Sequence, residues 1–270
     1  MRPELSTLDV NIHEHVAEVA LNRPDKANSM NSALWRELQT CFEWLDQVDA
    51  VRAIILTGNG RHFCAGIDLA LFAELQSSSD DPARRAEQFR RSVLAMQDNL
   101  TALEKCRKPV LAAIHNTCIG GGIDLICCCD MRYATEDAYF SVREVDIGMV
   151  ADVGTLQRLP KMIPEGVARE LAYTGRNMDA EEAREVGLVN RVFEHRESML
   201  SEVRAVARSI AAKSPLVIRG TKEVMLYTRD HSVADGLNYI ATWNAGMLSA
   251  ADLEEGITAQ AEKRPARYSD

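Results

Sequence analysis

The sequence lacks an apolar run long enough to cross a membrane, and it lacks an excess of basic residues. The best candidate span, Val110 to Cys129, is interrupted by His115, Asn116 and Asp124, whereas a spanning helix needs about 20 mostly apolar residues. There are 31 Lys and Arg against 40 Asp and Glu, a net charge of -9, which opposes nonspecific binding to nucleic acid or anionic lipid. We therefore expect neither a membrane nor a nucleic-acid partner.

The two ends of the sequence lack recognised targeting signals. Residues Met1 to Asn11 contain no apolar segment typical of a secretory signal, and the last three residues, Tyr268, Ser269 and Asp270, match no peroxisomal or retention signal. On this basis we expect a cytoplasmic protein.

The cysteines and histidines lack the spacing of disulfide frameworks and metal sites. Seven cysteines are present, and Cys127, Cys128 and Cys129 are consecutive, which suggests reduced core residues. Cys64 lies two residues after His62, but no neighbouring group is evident that would orient the histidine, so we expect Cys64 to be a core residue too. We expect no metal and no cofactor.

What the sequence does have is a repeated order of strand, glycine-containing turn and helix. Ala53 to Thr57 reads as a buried strand before Gly58, Asn59 and Gly60, and Val110 to His115 reads as another before the turn at Gly120 to Gly122. Leu8 to Leu21 has the alternation of a β-hairpin. A long amphipathic helix is predicted over Pro82 to Cys106. These patterns predict an α/β fold.

Strand signals end well before the end of the chain. From about Ser198 onward the apolar spacing is helical, with breaks near Ser214 and near Ser249. The sequence therefore predicts an α/β core over residues 1–197 and a helical region over residues 198–270.

Two turns between a strand and a helix are the first candidates for chemistry. They run from His62 to Asp68 and from Cys118 to Asp124, and such turns expose backbone NH groups. If the two turns were adjacent, their NH groups would form an oxyanion hole. Each could also be an ordinary tight turn. Neither matches a dinucleotide or P-loop fingerprint.

The third candidate is the run from Val142 to Gly154, in which Glu144 and Asp152 are carboxylates among apolar residues. Apolar surroundings raise carboxyl pKa values toward those useful for acid and base catalysis. In the structural alternative, Glu144 pairs with an arginine and Asp152 caps a helix that begins near Gly154. The local sequence alone slightly favours this alternative.

These segments resemble the enoyl-CoA hydratase/isomerase (crotonase) superfamily, and within it the Δ3,5-Δ2,4-dienoyl-CoA isomerases. The resemblance covers most of the chain and implies a spiral of repeated ββα units, with a C-terminal helical oligomerisation region and a homotrimer or homohexamer. It also implies an acyl-CoA substrate in fatty acid β-oxidation. It is carried by Asn22 to Asn31, Phe63 to Leu69, Ile119 to Asp124, Glu144 to Pro160 and Gly187 to Val192.

The resemblance also implies roles for backbone groups and loops. The NH groups of Ile67 and Gly121 would form the oxyanion hole for the thioester carbonyl. The residues implied in substrate binding are Lys26, Ala27, Asn28, Ala65, Gly66, Ile67, Asp68, Leu69 and Gly121.

Three acids are implied as catalytic. Asp124 and Glu144 stand where the hydratases keep two glutamates, whereas Asp152 stands where the hydratases usually have glycine. An extra acid suits a reaction that removes a proton from C2 and adds one at C6, so Glu144 would be the C2 base and Asp152 the C6 acid. Asp124 would lie beside Glu144, and its like charge would raise the proton affinity of Glu144.

Met149, Val150 and Val153 would form a dry wall of the isomerase site.

Other interpretations of the resemblance remain. The nearest rival is a 2-enoyl-CoA hydratase, in which Asp124 and Glu144 would position a water. An RNA-binding member of the superfamily and a different crotonase chemistry, such as thioester hydrolysis or dehalogenation, are the remaining alternatives.

Overall fold

The structure, a computed structural model, describes residues 1–74 and 79–270. The strands are β1 Leu8–His13, β2 Val16–Leu21, β3 Ala53–Gly58, β4 Val110–Ile114, β5 Thr117–Ile119, β6 Met131–Thr135, β7 Tyr139–Ser141, β8 Met178–Asp179 and β9 Arg191–Phe193. The helices are α1 Ser32–Gln47, α2 Leu71–Glu74, α3 Pro82–Lys105, α4 Gly121–Cys127, α5 Thr155–Arg158, α6 Glu165–Thr174, α7 Ala180–Glu185, α8 Arg196–Ala211, α9 Pro215–Arg229, α10 Val233–Met247 and α11 Ala250–Ala261. Short 3-10 turns lie at Pro24–Lys26, Glu144–Ile147 and Leu159–Lys161.

The strands form two sheets. The larger has six strands in the order β1-β2-β3-β4-β6-β9, and the smaller has three in the order β5-β7-β8. The predicted hairpin is confirmed, since β1 and β2 pair antiparallel around Glu14 and His15, both at positive φ, as a two-residue hairpin turn requires. From β2 to β9 the neighbours in the larger sheet are parallel. The predicted α/β class is confirmed.

The central strands are buried on both faces, as parallel strands covered by helices must be. Ile54 and Leu56 of β3 belong to the main core cluster, which also contains apolar residues of α1 and α3. Ile55, between them in sequence, packs on the opposite face in a second cluster with Met199 and Val203 of α8. The sheet therefore lies between α1 and α3 on one side and α8 on the other.

The region after β9 is helical throughout its regular structure. Because α8 begins at Arg196 and packs on the sheet through Met199 and Val203, the predicted boundary at residue 197 falls inside a helix of the core. The division into a core and an oligomerisation region stays a prediction. No helix within residues 1–74 and 79–270 is both long and apolar enough to cross a bilayer.

The cysteines are core residues, as the sequence indicates. All seven are buried and none forms a disulfide. Burial raises the pKa of the Cys64 thiol to about 12, and His62 beside it contacts the Thr117 hydroxyl, with Nδ1 2.8 Å from Oγ1. A thiol with so high a pKa is a poor nucleophile at neutral pH.

A buried arginine joins α4 to the segment that leads into β9. Arg132 of β6 is 8% exposed. Its Nε donates to the Leu188 carbonyl at 2.7 Å, and its Nη1 donates to the carbonyls of Cys129 at 2.7 Å and Ile126 at 3.3 Å. The carbonyls of Ile126 and Cys129 belong to the C-terminal end of α4 and the turn after it, so Arg132 holds the helix that carries Gly121 and Asp124.

We expect Arg132→Met to lower the free energy of unfolding by about 2 to 5 kcal/mol, because it leaves the buried carbonyls of Leu188 and Cys129 without a donor. The matched control is Arg191→Met on β9, whose exposed ion pair with Glu202 should contribute less than about 1 kcal/mol. Equilibrium urea unfolding followed by circular dichroism measures both values. Equal losses in the two variants would contradict this role for Arg132.

Candidate active site

The two NH-presenting turns lie side by side. Cys64 and Cys118 form an isolated parallel bridge, in which the Cys64 NH donates to the Thr117 carbonyl at 2.9 Å and the Ile119 NH donates to the Cys64 carbonyl at 3.1 Å. The first turn therefore runs along β5, and the beginning of α4 follows directly from that strand.

Glycine at position 66 is required by this close approach. Gly66 has φ +84°, and a Cβ at this position would lie 2.9 Å from the Ile119 carbonyl oxygen and 3.5 Å from the Gly121 nitrogen. Both the positive φ and the contact exclude a larger side chain. The backbone of the first turn thus comes within van der Waals distance of the N-terminus of α4.

The NH groups of Ile67 and Gly121 have no acceptor in the part of the chain that the structure describes. Met30 bonds to the residues on either side of Ile67: its NH donates to the Gly66 carbonyl at 2.8 Å, and its carbonyl accepts from the Asp68 NH at 3.1 Å. The NH of Ile67 itself takes no part in this pairing. Gly121 is the first residue of α4, where the NH has no intrahelical partner. Both residues line the same cavity.

That cavity has a volume of about 190 Å³ and is mostly apolar. Predicted residues that line it are Ala65, Gly66, Ile67, Leu69, Gly121, Asp124, Glu144, Met149, Asp152 and Val153. Ile119, Gly120, Arg143 and Ile147 also line it; they lie in the candidate segments but had no assigned role. Residues that line it without having been predicted are Trp35, Phe89 and Met96. The three predicted acids and the two predicted NH donors therefore surround one space.

Two of the unpredicted residues carry a signal in the sequence. Phe89 and Met96 are seven residues apart on α3, and this spacing places them on one face of a helix. No sequence pattern indicates that Trp35 of α1 lines the cavity. Its indole NH donates to the Met30 carbonyl at 3.1 Å, and this contact sets the position of the ring. This part of the apolar wall comes from helices that are distant in sequence from the acids.

Asp124 is fully buried on α4. Its Oδ1 accepts a hydrogen bond from the Thr155 NH at 2.6 Å, and its Oδ2 has no partner among the described residues. Burial and the neighbouring Glu144 carboxylate raise the pKa of Asp124 to about 7, although the Thr155 hydrogen bond opposes the shift. Near neutral pH this carboxyl is therefore partly protonated.

Glu144 and Asp152 also have raised pKa values. Burial, together with the charge of Asp152, raises the pKa of Glu144, and burial raises the pKa of Asp152. Glu144 is 8% exposed and its Oε2 is unpartnered within the described residues. The two acids can therefore hold or release protons closer to neutral pH than free carboxyls do.

The structural alternative for these two acids is wrong. The neighbouring arginine, Arg143, pairs with Asp146 at 3.2 Å, and no ion pair of Glu144 is present in the described part of the chain. Helix α5 begins after Gly154 without a side-chain cap, and Asp124 instead accepts from its first NH. Asp152 is thereby left to face the cavity.

Four predicted binding residues do not line this cavity. Asn28 is fully buried, and its amide donates to the carbonyls of Asn59 at 2.9 Å and His62 at 2.8 Å. Asp68 pairs with Arg23 at 3.0 Å. Lys26 is exposed and Ala27 is half-buried in the adjoining loop. Their roles in substrate binding stay predictions.

Val150 does not belong to the cavity wall, so this part of the predicted wall is wrong. Its side chain is 72% exposed, whereas Met149 and Val153 line the cavity. Val150 lies in an irregular segment in which its side chain turns to solvent while that of Met149 faces the acids.

Among residues 1–74 and 79–270 no group of three or more His, Cys, Asp or Glu side chains could hold a metal ion. The expectation that no cofactor is needed stays a prediction. The site as described consists of carboxyl groups, backbone NH donors and an apolar wall.

The sequence model of the enoyl-CoA hydratase/isomerase family matches residues 11–270. The chain therefore belongs to this family, and the resemblance read from the motifs is confirmed. The fold agrees: the crystal structure of an enoyl-CoA hydratase from Bacillus anthracis superposes with a TM-score of 0.89 and 33% identity, covering 98% of this chain and 99% of that one.

Curated relatives carry a more specific name. A mitochondrial Δ3,5-Δ2,4-dienoyl-CoA isomerase from Mus musculus is 48% identical over 254 residues, which is 93% of this chain and 78% of that protein. A peroxisomal Δ3,5-Δ2,4-dienoyl-CoA isomerase from Arabidopsis thaliana is 45% identical over 268 residues, which is 98% of this chain and 96% of that protein. The chain thus resembles both along most of its length.

The names of these relatives overturn the expected cytoplasmic location. The relatives from Mus musculus and Arabidopsis thaliana are named mitochondrial and peroxisomal. The expectation was drawn from the lack of a recognised signal in the sequence, and such a lack does not specify a compartment.

The raised pKa of Asp124 predicts how stability changes with pH. The folded state binds this proton more tightly than the unfolded state does, so its contribution to stability is full below about pH 4, the ordinary carboxyl range, and is lost as the pH rises toward the folded value of about 7. Asparagine keeps the acceptor for the Thr155 NH and carries no charge.

We therefore expect Asp124→Asn to match the unsubstituted protein at pH 4 and to exceed its free energy of unfolding by about 3 to 4 kcal/mol at pH 8. Urea unfolding of both proteins at a series of pH values measures this difference. A constant difference from pH 4 to pH 8 would show that Asp124 titrates in its ordinary range.

Proposed function

We propose that this chain is a Δ3,5-Δ2,4-dienoyl-CoA isomerase. The single observation that carries the proposal is that Asp152 and Glu144 line one cavity with the free NH groups of Ile67 and Gly121. The names of the relatives from Mus musculus and Arabidopsis thaliana support the same activity.

The reaction needs one proton transfer at each end of a diene. A proton leaves C2 of the 3,5-dienoyl thioester, and the electron pair spreads through a dienolate onto the thioester oxygen. A proton then adds at C6, which leaves the double bonds at positions 2 and 4. No water is consumed, so the reaction requires two acid-base groups and donors for the enolate oxygen.

In the proposed mechanism, Glu144 removes the C2 proton and Asp152 supplies the C6 proton. The NH groups of Ile67 and Gly121 donate to the enolate oxygen as its charge develops, and a single donor of this kind typically contributes about 2.7 to 4 kcal/mol. After one turnover Glu144 holds a proton and Asp152 lacks one. The two carboxyls return to their starting states by exchanging protons with solvent.

The electrostatics of the cavity support this division of roles. Asp152 must begin protonated, and its burial raises its pKa. Glu144 must accept a proton, and its burial raises its proton affinity. Asp124, with a pKa of about 7, stands next to Glu144 and repels it when ionised, which strengthens Glu144 as a base.

Substrate binding is proposed at the loops around this cavity. Ala65, Gly66 and Leu69 line it and would contact the acyl thioester. Lys26 and Ala27, which are accessible in the adjoining loop, would contact the CoA moiety. The Asn28 side chain bonds to the protein's own backbone, so we assign it the task of holding that loop.

We further propose a homotrimer or homohexamer formed through the C-terminal helices. These helices expose large apolar side chains that a monomer would leave in water. They are Val217, Met225, Val233, Leu237, Met247, Leu248, Leu253 and Ile257.

A 2-enoyl-CoA hydratase is the second candidate. It is favoured by the adjacency of Asp124 and Glu144, whose charges interact, since two such acids could position a water. The Bacillus anthracis structure, named as a hydratase, adds support. If this chain were a hydratase, Asp152 would have no catalytic role.

Product analysis distinguishes the two candidates. We expect the purified protein to convert a 3,5-dienoyl-CoA to the conjugated 2,4-dienoyl-CoA, seen as a rise in ultraviolet absorbance, faster than it hydrates crotonyl-CoA. Rapid hydration of crotonyl-CoA with an unchanged 3,5-dienoyl-CoA would favour the hydratase instead.

We expect Asp152→Asn to lower kcat for isomerisation at least about 100-fold, the usual contribution of a positioned acid or base, while acyl-CoA binding remains. The matched control is Asp98→Asn at an exposed position of α3, which should keep full turnover. Stopped-flow absorbance and a binding titration measure the two quantities. Undiminished turnover in Asp152→Asn would remove Asp152 from the mechanism.

A further inference from the structure

Asp152 lies in an irregular segment with a cavity on each side. Val153 lines the acid-lined cavity and also a second, polar cavity of about 370 Å³. Ala151 and Val153, on either side of Asp152, pack into the main core cluster, whereas Asp152 itself is only half-buried beside the acid-lined cavity. Hydrogen bonds from neighbouring elements therefore bear on where the backbone of this segment holds Asp152.

One face of α3 supplies these bonds. Gln97, Thr101 and Glu104 follow each other at intervals of four and three residues on this helix, a spacing that aligns side chains on one face. The Gln97 Nε2 donates to the backbone carbonyl of Asp152 at 2.5 Å. Gln97 therefore contacts the catalytic segment at the residue that carries the proposed acid.

The other end of the segment is held by Arg158. Its Nε and Nη2 donate to the two carboxylate oxygens of Glu104 at 3.1 Å each, and Nη2 also lies 3.2 Å from the Thr101 hydroxyl. Both charged side chains are nearly buried, with 13% and 12% exposed. Such a bidentate pair fixes geometry more firmly than a surface ion pair does.

Gly154 lets the arginine lie against the segment. It has φ +137°, and a Cβ there would lie 2.1 Å from Arg158 Nη1. Between these two ends, Thr155 donates to Asp124. Residues 152–158 are thus attached to α3 at both ends and to α4 in the middle.

We propose that Gln97 is a positioning residue that holds Asp152 for proton transfer at C6. This proposal rests on the proposed isomerase function. Gln97 does not line the acid-lined cavity described above, so it acts on the reaction through the backbone of Asp152. Its loss should slow the step at C6 and leave the step at C2, where Glu144 acts, largely intact.

The first test is Gln97→Met, which keeps the length of the side chain and removes the donor. We expect kcat for isomerisation to fall about tenfold or more, since displacements near 1 Å from the productive geometry cost up to about 100-fold, while KM changes less than about twofold. Gln97→Glu, which replaces the donating nitrogen by an oxygen, should show the same loss. The control is Gln47→Met at an exposed position of α1, where the amide donates to Asp46; its turnover should be unchanged.

The second test separates positioning from general damage to the site. In D2O, Glu144 exchanges the proton taken from C2 for a deuteron from solvent. A dienolate that is not protonated at C6 then takes this deuteron back at C2. We expect the ratio of C2-deuterated recovered substrate to 2,4-product, corrected for exchange without enzyme, to rise about tenfold in Gln97→Met, in step with its loss of kcat. Mass spectrometry of both compounds measures this ratio.

Distinct outcomes overturn distinct claims. An unsubstituted protein that does not isomerise the 3,5-dienoyl-CoA removes the proposed function itself. If the unsubstituted protein isomerises and Gln97→Met does so equally fast, the positioning role is wrong. The role is also wrong if exchange at C2 and product formation fall in parallel, because this result indicates damage to the whole site.

Discussion

The burial of three carboxyl groups around one small cavity is the constraint on which the site depends. None of Asp124, Glu144 and Asp152 forms an ion pair in the described parts of the chain, and burial is the first cause of the raised pKa of each. A buried carboxyl without a countercharge binds its proton more tightly. The same desolvation that lowers stability at higher pH therefore supplies groups able to exchange protons near neutrality.

The backbone around the cavity is shaped to serve this chemistry. Gly66 permits a contact with the Ile119 carbonyl that no other residue allows, and this contact brings the NH groups of Ile67 and Gly121 to one cavity. The acids lie on α4, on a 3-10 turn and in an irregular segment. Three separate stretches of chain thus meet at one site, and the hydrogen bond from Thr155 to Asp124 joins two of them directly.

Local patterns in the sequence were sufficient for much of the fold and for the acids. The hairpin, the buried strands β3 and β4 and the long helix α3 follow from periodicity, and the acids follow from the family motifs. The cap of α5 could not be predicted, because Asp124, 31 residues away, accepts the Thr155 NH in place of the nearby Asp152. The internal bonding of Asn28, the outward turn of Val150 and the roles of Trp35 and Gln97 likewise depend on contacts between distant segments.

The central claim is that two different carboxyl groups act at the two ends of the diene. It is tested most directly by running the isomerisation in D2O and locating deuterium in the 2,4-product by NMR. If Asp152 delivers a solvent-exchanged proton, C6 of the product carries deuterium. If one group carried the hydrogen from C2 to C6 without exchange, C6 would contain only protium, and the account would be contradicted.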